Sequence, residues 1–114
     1  MTISMDLGVH VIEPSGILDG TQTNAFRQQV DAALEKDTKI LLVDLKDITF
    51  VDSSGLGVLV ACLKNARTSG CKMYVCSIND QIRMLFELTS MDRVFEVLPD
   101  REAFAAKVEG TLKA

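Results

Sequence analysis

Beyond residue 38, segments that favour strands alternate with segments that favour helices, and this order constrains the fold most strongly. KILLVDL is a continuous apolar run rich in β-favouring residues, as in strands buried on both faces of a parallel sheet. KMYVCSI and RVFEVL predict two further strands, and apolar residues at helical spacing follow each of the three. Strands joined in this way need right-handed crossovers onto a largely parallel sheet. The sequence therefore predicts an α/β domain.

The first 38 residues add strand and helix signals to the same domain. ISMDLGVHVIEP alternates loosely and predicts a short strand or hairpin that ends at Pro14. In NAFRQQVDAALEKD, Phe26, Val30 and Ala33 fall at helical spacing. No linker or internal repeat divides the chain, and 114 residues are a usual length for one domain. We expect residues 1–114 to form one domain, a mixed sheet of four or five strands with about four helices mainly on one side.

The composition indicates a chain that folds in water and does not bind nucleic acid directly. Sixteen acidic residues against twelve basic ones give a formal net charge of −4, and no segment is rich in Lys and Arg. The longest apolar runs, ILLV and VLVACL, are far shorter than the ~20 residues that span a bilayer. The N-terminus has neither the basic region nor the apolar run of a signal peptide. We expect a cytoplasmic protein without a membrane partner.

Three cysteines, Cys62, Cys71 and Cys76, lie in segments that we expect to form the core. Their number is odd, and no two of them form a C-x-x-C pair. We expect buried, reduced thiols, with a redox or metal-binding role as the weaker alternative.

The segment FVDSSGLGVLVACL, which begins at Phe50, has small and polar residues where the apolar pattern predicts the start of a buried helix. Gly55 and Gly57 each cost a helix about 1 kcal/mol relative to alanine. The segment also lies at a strand-to-helix junction, and functional groups gather at the carboxyl ends of parallel strands. We therefore take DSSGLG, residues 52–57, as the candidate functional segment and name it the serine loop.

The serine loop does not fit a catalytic site. A hydrolase nucleophile elbow has the pattern G-x-S-x-G, whereas Val51 and Asp52 stand two residues before Ser53 and Ser54. The one histidine, His10, lies in the N-terminal strand region with no marker of a general base. We expect neither catalytic residues nor an enzymatic activity.

Cofactor and metal sites also lack sequence support. The chain contains neither G-x-x-x-x-G-K-[ST] nor a helix opened by G-x-G-x-x-G, the phosphate-binding patterns of nucleotide sites. The aspartates are too dispersed along the chain to indicate a metal site. We therefore expect no cofactor and no bound metal.

Capping of the predicted helix accounts for part of the serine loop. Asp52 or Ser53 can accept a hydrogen bond from an N–H group in the first helical turn. Capping needs only one polar residue, however, and does not explain a second serine followed by two glycines. Glycines on both sides of Leu56 remove bulk around Ser54, so that another protein could approach its hydroxyl. A phosphoryl group there would also be stabilised by the positive end of the helix dipole.

ITFVDSSGLGVLVACLKNARTSG strongly resembles the signature of bacterial anti-sigma factor antagonists, which consist of a single STAS domain. CKMYVCSINDQIRMLFELTSMDRVFEVLPDREAF is similar to the strand–helix–strand–helix tail of that family, and SGILDGTQTNAF is similar to its G-x-L-D loop. The resemblance spans nearly the whole chain and implies a STAS fold. In the family, the second serine of D-S-S-G is the phosphorylation site, which corresponds to Ser54 here. The aspartate of G-x-L-D, which lies near the phosphosite at the partner surface, corresponds to Asp19.

The resemblance implies a regulatory function without catalysis. The protein would bind an anti-sigma factor that is itself a serine kinase of the GHKL type, release the sigma factor and so permit transcription. Phosphorylation of Ser54 by that kinase would end the binding, and a PP2C-type phosphatase would reset the switch. A monomer is expected, as is usual in the family. The alternative is a stand-alone STAS subunit of another assembly, such as a lipid-transport ATPase or a stress-signalling complex.

The partner surface is expected to centre on the serine loop. On the predicted helix, Val58, Ala61 and Cys62 lie at i+4, i+7 and i+8 from Ser54, whereas the opposite stripe serves the core. These three residues either extend the partner surface or pack beneath a neighbouring element. The residues assigned to the partner surface are Asp19, Asp52, Ser53, Ser54, Gly55, Gly57 and Val58.

Overall fold

The computed structural model describes the backbone of residues 8–113 and the side chains of residues 8–109. Most of ISMDLG, in the predicted first strand or hairpin, therefore lies outside the described residues. The strands are β1 (Val9–Ile12), β2 (Ser15–Leu18), β3 (Ile40–Asp44), β4 (Asp47–Val51), β5 (Lys72–Cys76) and β6 (Glu96–Leu98). The helices are α1 (Thr23–Glu35), α2 (Ser53–Thr68), α3 (Asp80–Leu88) and α4 (Arg101–Lys113), with a 3₁₀ turn at Met91–Arg93.

Four strands form a parallel sheet in the order β1–β3–β5–β6, and β2 and β4 form a separate parallel pair. The α/β class predicted from the alternation of strands and helices is confirmed. All strand pairs within residues 8–113 are parallel, however, where we expected a mixed sheet. The reason is that β1 and β2 do not pair as a hairpin. Strand β1 pairs with β3, and β2 pairs with β4.

Strand β3 lies at the centre of the core because all of its residues before Asp44 are apolar and buried. Leu41 and Val43 pack into the larger apolar cluster with α1, α2 and α3, whereas Ile40 and Leu42 pack into a smaller cluster beneath α4. Alternate residues of the strand thus bury opposite faces of the sheet. Three of the four described helices cover one face, in agreement with the sequence prediction.

An ion-pair network joins the start of α4 to the carboxyl edge of the four-stranded sheet. Arg101 donates from Nε to Asp44 Oδ2 and from Nη2 to Glu13 Oε2, both at 2.7 Å. Asp44 is fully buried. Burial alone would raise the pKa of Asp44, but hydrogen bonds from Arg101 and from the Lys46 N–H outweigh it and hold that pKa below its ordinary value. The network fixes α4 on the face opposite the other helices.

The two short strands β2 and β4 position the serine loop. The sequence pattern does not predict these strands. Most of their residues are exposed, and polar and apolar residues do not alternate clearly along them. Their last residues, Leu18 and Val51, are paired in register and buried. Asp19 follows the first strand and Asp52 follows the second. The strand pair therefore places the G-x-L-D loop and the serine loop side by side.

Candidate functional site

The serine loop begins with the N-terminal cap of α2. Asp52 has extended backbone angles, with φ −98° and ψ −173°, and its Oδ1 accepts a hydrogen bond from Gly55 N at 2.8 Å. The capping role, which the sequence leaves open between Asp52 and Ser53, therefore belongs to Asp52. Neither serine is needed for the cap.

Ser53 and Ser54 are the first two residues of α2, and both are exposed. Within the part of the chain that the structure describes, neither hydroxyl takes part in a hydrogen bond. The N–H groups of the first turn and the helix dipole give this end of α2 a partial positive charge. A negatively charged group attached to either hydroxyl would therefore be stabilised by the helix.

The two glycines of the serine loop have different roles. A side chain at Gly55 would overlap the carbonyl oxygen of Leu18, and its Cβ would lie 2.9 Å from the carbonyl carbon. Gly55 is therefore required by the close approach of α2 to the end of β2, and the expectation that it gives access to Ser54 is wrong. Gly57 is exposed, with open space where a side chain would be. It leaves room on the helix surface one turn from Ser54.

The loop after β2 lies beside Ser54. Asp19 Oδ1 accepts hydrogen bonds from Thr21 Oγ1 at 2.6 Å and from Thr21 N at 2.9 Å. These hydrogen bonds lower the pKa of Asp19, so the exposed carboxylate is ionised at neutral pH. Gly20 is adjacent to Ser54, since a Cβ at Gly20 would lie 3.8 Å from Ser54 Oγ. The structure thus brings the loop that carries Asp19 beside the serine loop.

Val58 and Cys62 do not lie on a partner surface. Their exposed fractions are 8% and 2%, and both belong to the larger apolar cluster. Helix α1 packs against this side of α2, where Asn65 Nδ2 donates to Asp31 Oδ1 at 2.8 Å. The assignment of Val58 to the partner surface is therefore wrong, because α1 covers the stripe that helical spacing places above the serine loop. Ala61, on the same stripe, is half-buried.

Comparison with known proteins shows which family the chain belongs to. The STAS domain family matches residues 3–105. The chain belongs to the STAS domain family. Its single α/β unit, with a serine loop at the start of α2, agrees with the fold that the sequence resemblance implies.

Three similar proteins show how this STAS domain relates to others. The anti-sigma F factor antagonist of Paenibacillus polymyxa is 31% identical over 93 residues, which cover 81% of this chain and 77% of the relative. A crystal structure of an anti-sigma factor antagonist from Mycobacterium paratuberculosis has a TM-score of 0.77 at 27% identity, over 87% of this chain and 85% of that chain. The Bacillus cell fate determinant SpoIIAA in its phosphorylated form has a TM-score of 0.67 at 17% identity, over 88% and 91%, and shares the fold.

In this STAS domain the side chain of Gln81 supports the strand that leads into the serine loop. Gln81 Oε1 accepts from Val51 N, and Gln81 Nε2 donates to Val51 O, both at 2.9 Å. Asn79 Nδ2 donates to the carbonyl oxygens of Ile48 at 3.3 Å and Thr49 at 3.1 Å. The start of α3 therefore bonds to the edge of β4 much as a neighbouring strand would. Nothing in INDQIR distinguishes Gln81 from other polar helix residues, so the sequence does not reveal this role.

Two large apolar side chains near the serine loop are exposed. Ile17 and Phe50 are partners in the β2–β4 register, with exposed fractions of 49% and 45%. The sequence pattern alone does not indicate that these two residues are exposed. Their exposure follows once Leu18 and Val51, the next residues in each strand, are known to be buried, because adjacent strand residues face opposite sides.

The cysteines of the STAS domain are buried thiols without disulfides, as expected. Burial raises the pKa of Cys62 to about 11 and also raises the pKa of Cys71 and of Cys76. The reactive thiolate is therefore disfavoured at all three positions. Across residues 8–109, no group of three His, Cys, Asp or Glu side chains could hold a metal ion. None of the described helices is both long enough and apolar enough to cross a bilayer.

Proposed function

We propose that this STAS domain is an anti-sigma factor antagonist and that phosphorylation of Ser54 switches off its binding to the anti-sigma factor. The relatives that carry this name support the class of function. The observation that supports a phosphorylation switch is the exposed Ser54 hydroxyl in the first turn of α2, beside Gly20 and near Gly57. A kinase can reach this hydroxyl because the neighbouring glycines have no side chains to obstruct it.

The proposed cycle needs no catalysis by this chain. The unphosphorylated protein binds the anti-sigma factor through the serine loop, and the sigma factor is displaced. The anti-sigma factor is a GHKL-type serine kinase that holds ATP and Mg²⁺ and transfers the γ-phosphoryl group to Ser54 Oγ, with ADP as the leaving group. A PP2C-type phosphatase then hydrolyses the phosphoserine and restores the hydroxyl.

The added phosphoryl charge acts on the partner contact and leaves the fold intact. Phosphoserine carries about −1.5 to −2 charges at pH 7. The N-terminus of α2 favours that charge, so α2 stays formed. Asp19 and Asp52 already lie at this surface, and a third negative group faces a partner that was complementary to a neutral hydroxyl. A loss of about 3 kcal/mol of binding free energy weakens affinity more than a hundredfold.

The test is to map the phosphate with a matched serine control. The Ser54→Ala protein serves as bait in the native cell, and the captured kinase is then expressed and purified. Wild type, Ser53→Ala and Ser54→Ala are each incubated with that kinase and Mg-ATP and measured by intact and peptide mass spectrometry. We expect one phosphate on wild type and on Ser53→Ala, and none on Ser54→Ala. Phosphate on Ser53 alone, or capture of a membrane ATPase in place of a kinase, would contradict the proposal.

A further inference from the structure

A shift in the β2–β4 register creates the exposed apolar pair. Pairing runs from Gly16 with Ile48 directly to Ile17 with Phe50 and skips Thr49. Gly16 has φ +87°, a conformation that glycine adopts without strain, and this allows the bulge. The bulge leaves two large side chains next to each other and nearly half exposed. We name Ile17 and Phe50 the apolar pair.

The core does not need the apolar pair. The next residues in the register, Leu18 and Val51, are buried with exposed fractions of 1% and 0%. Full burial of an isoleucine or phenylalanine side chain stabilises by about 1.5–3 kcal/mol, so the exposed half of each side chain leaves roughly half of that free energy unused in the isolated domain. A hollow of about 230 Å³ between β2 and α1 borders Ile17 and is lined in part by Phe26. The surface therefore offers an apolar side chain and an adjacent concavity.

Phe50 of the apolar pair is close in the chain to Ser54, which the partner has to reach. Consecutive Cα atoms are 3.8 Å apart, so the Phe50 Cα lies within about 15 Å of the Ser54 Cα. A stable interface buries roughly 800 Å² on each partner, which corresponds to a disc of about 16 Å radius. An interface of ordinary size centred on Ser54 is therefore wide enough to reach Phe50, whose register partner is Ile17.

The surrounding charges define the chemistry of that partner. Asp19 and Asp52 follow β2 and β4 at one end of the apolar pair, and at the other end Asp47 begins β4 beside Lys46, which is paired with Glu13. Interfaces concentrate apolar and aromatic residues at the centre and charged residues at the rim. The complementary surface has an apolar centre, with basic residues on the side that faces Asp19 and Asp52.

We propose that Ile17 and Phe50 are an apolar anchor for the anti-sigma factor, next to the serine loop that the kinase phosphorylates. This inference rests on the proposed function and adds the residues that give the contact its affinity. The anchor makes the same apolar contact whether or not Ser54 is modified, and the phosphoryl group lowers the total affinity by weakening the contact at the adjacent serine loop.

The anchor is tested with one replacement at three exposed apolar positions. Ile17→Gln, Phe50→Gln and the double variant are compared with Leu88→Gln, since Leu88 is 78% exposed on α3. Leu88 lies seven residues beyond Gln81, about 10 Å further along the helix axis. All variants replace exposed side chains, and thermal unfolding checks that each one folds like wild type.

Affinity for the purified kinase is measured by calorimetry, and Ser54 phosphorylation is followed as a function of substrate concentration. We expect about tenfold weaker affinity for each single variant, about a hundredfold for the double variant, and less than a twofold change for Leu88→Gln. Because the anchor does not touch the reacting hydroxyl, KM should rise in the double variant while kcat is retained.

The outcomes separate the anchor from the switch. Wild-type affinity in the double variant, combined with weak binding of Ser54→Asp, overturns the anchor and leaves the proposed function standing. Full affinity of Ser54→Asp, combined with weak binding of the double variant, supports the anchor and contradicts the switch. A dimer that dissociates in the double variant overturns the anchor, because a second copy of this chain then occupies the apolar pair.

Discussion

Gly55 packs against the main-chain carbonyl of Leu18 with no space between them for a side chain. The same carbonyl oxygen accepts a hydrogen bond from Asp52 N at 3.3 Å. One carbonyl at the end of β2 thus contacts both the cap and the first turn of α2. This contact sets the position of the serine loop over the two short strands.

Replacement of Gly55 by alanine is expected to destabilise the domain by about 3 kcal/mol, since the methyl group would overlap the Leu18 carbonyl and main-chain atoms would have to move. Gly57→Ala is the matched control in the same helix. Its side chain would enter open space, so we expect a gain of up to about 1 kcal/mol from helix propensity. Urea unfolding measures the free energy of unfolding of both variants. Equal stability of Gly55→Ala and wild type would show that the contact with Leu18 is not close.

Replacement of Gln81 by leucine removes both hydrogen bonds to the Val51 main chain. Val51 is fully buried, so its N–H and C=O groups would lose partners away from water, and we expect a loss of about 2 kcal/mol. Hydrogen exchange at the Val51 amide should accelerate together with that of the serine loop. Gln28→Leu on α1, where Gln28 is exposed, should change stability by less than about 0.5 kcal/mol. An unchanged exchange rate of the Val51 amide in Gln81→Leu would show that Gln81 does not stabilise the end of β4.

The Asp44–Arg101 pair makes the stability of the domain depend on pH in the acid range. The pKa of Asp44 in the folded protein is lower than its ordinary value of 3.8, so its ionised form stabilises the fold. That contribution is complete above the ordinary pKa and is lost as the pH falls through the lower folded-state pKa. We expect Asp44→Asn to lower the free energy of unfolding by about 2 kcal/mol at pH 7, a value between those of exposed and buried ion pairs. Below pH 3.8 we expect the decrease to be smaller.

Urea unfolding at a series of pH values checks the prediction for Asp44. Asp37→Asn serves as the control because its ion pair with Lys39 lies at the surface, with 88% of the Asp37 side chain exposed. We expect that control to change stability by less than about 0.5 kcal/mol at any pH. A difference between wild type and Asp44→Asn that stays constant down to pH 2 would exclude the ionised carboxylate as its source.

The main sheet could be predicted from the sequence because its strands have a strong local signal. The central residues of KILLVDL and KMYVCSI, ILLV and MYVC, are apolar, and burial on both faces of a parallel sheet requires that. The start of α2 could be predicted because the cap and the apolar spacing agree with each other. The family resemblance then connected the serine loop with the G-x-L-D loop, which lie more than thirty residues apart in the chain.

The parts that could not be predicted depend on contacts between distant residues. Helical spacing places Val58 near Ser54, but only the position of α1 decides that Val58 is buried. The role of Gly55 depends on where the Leu18 carbonyl lies. The strands β2 and β4 are short and exposed, so their pairing follows from the rest of the fold and carries little pattern of its own.

The most direct measurement of the central claim is the affinity of the purified kinase for the protein before and after phosphorylation of Ser54. Calorimetry would use wild type and the same protein carrying one mass-verified phosphate, with circular dichroism as the check on the fold. We expect more than a hundredfold loss of affinity, or about 3 kcal/mol, with an unchanged spectrum because the N-terminus of α2 accommodates the charge. Equal affinity of the two forms, or a loss of affinity that accompanies unfolding of α2, would contradict the proposed switch.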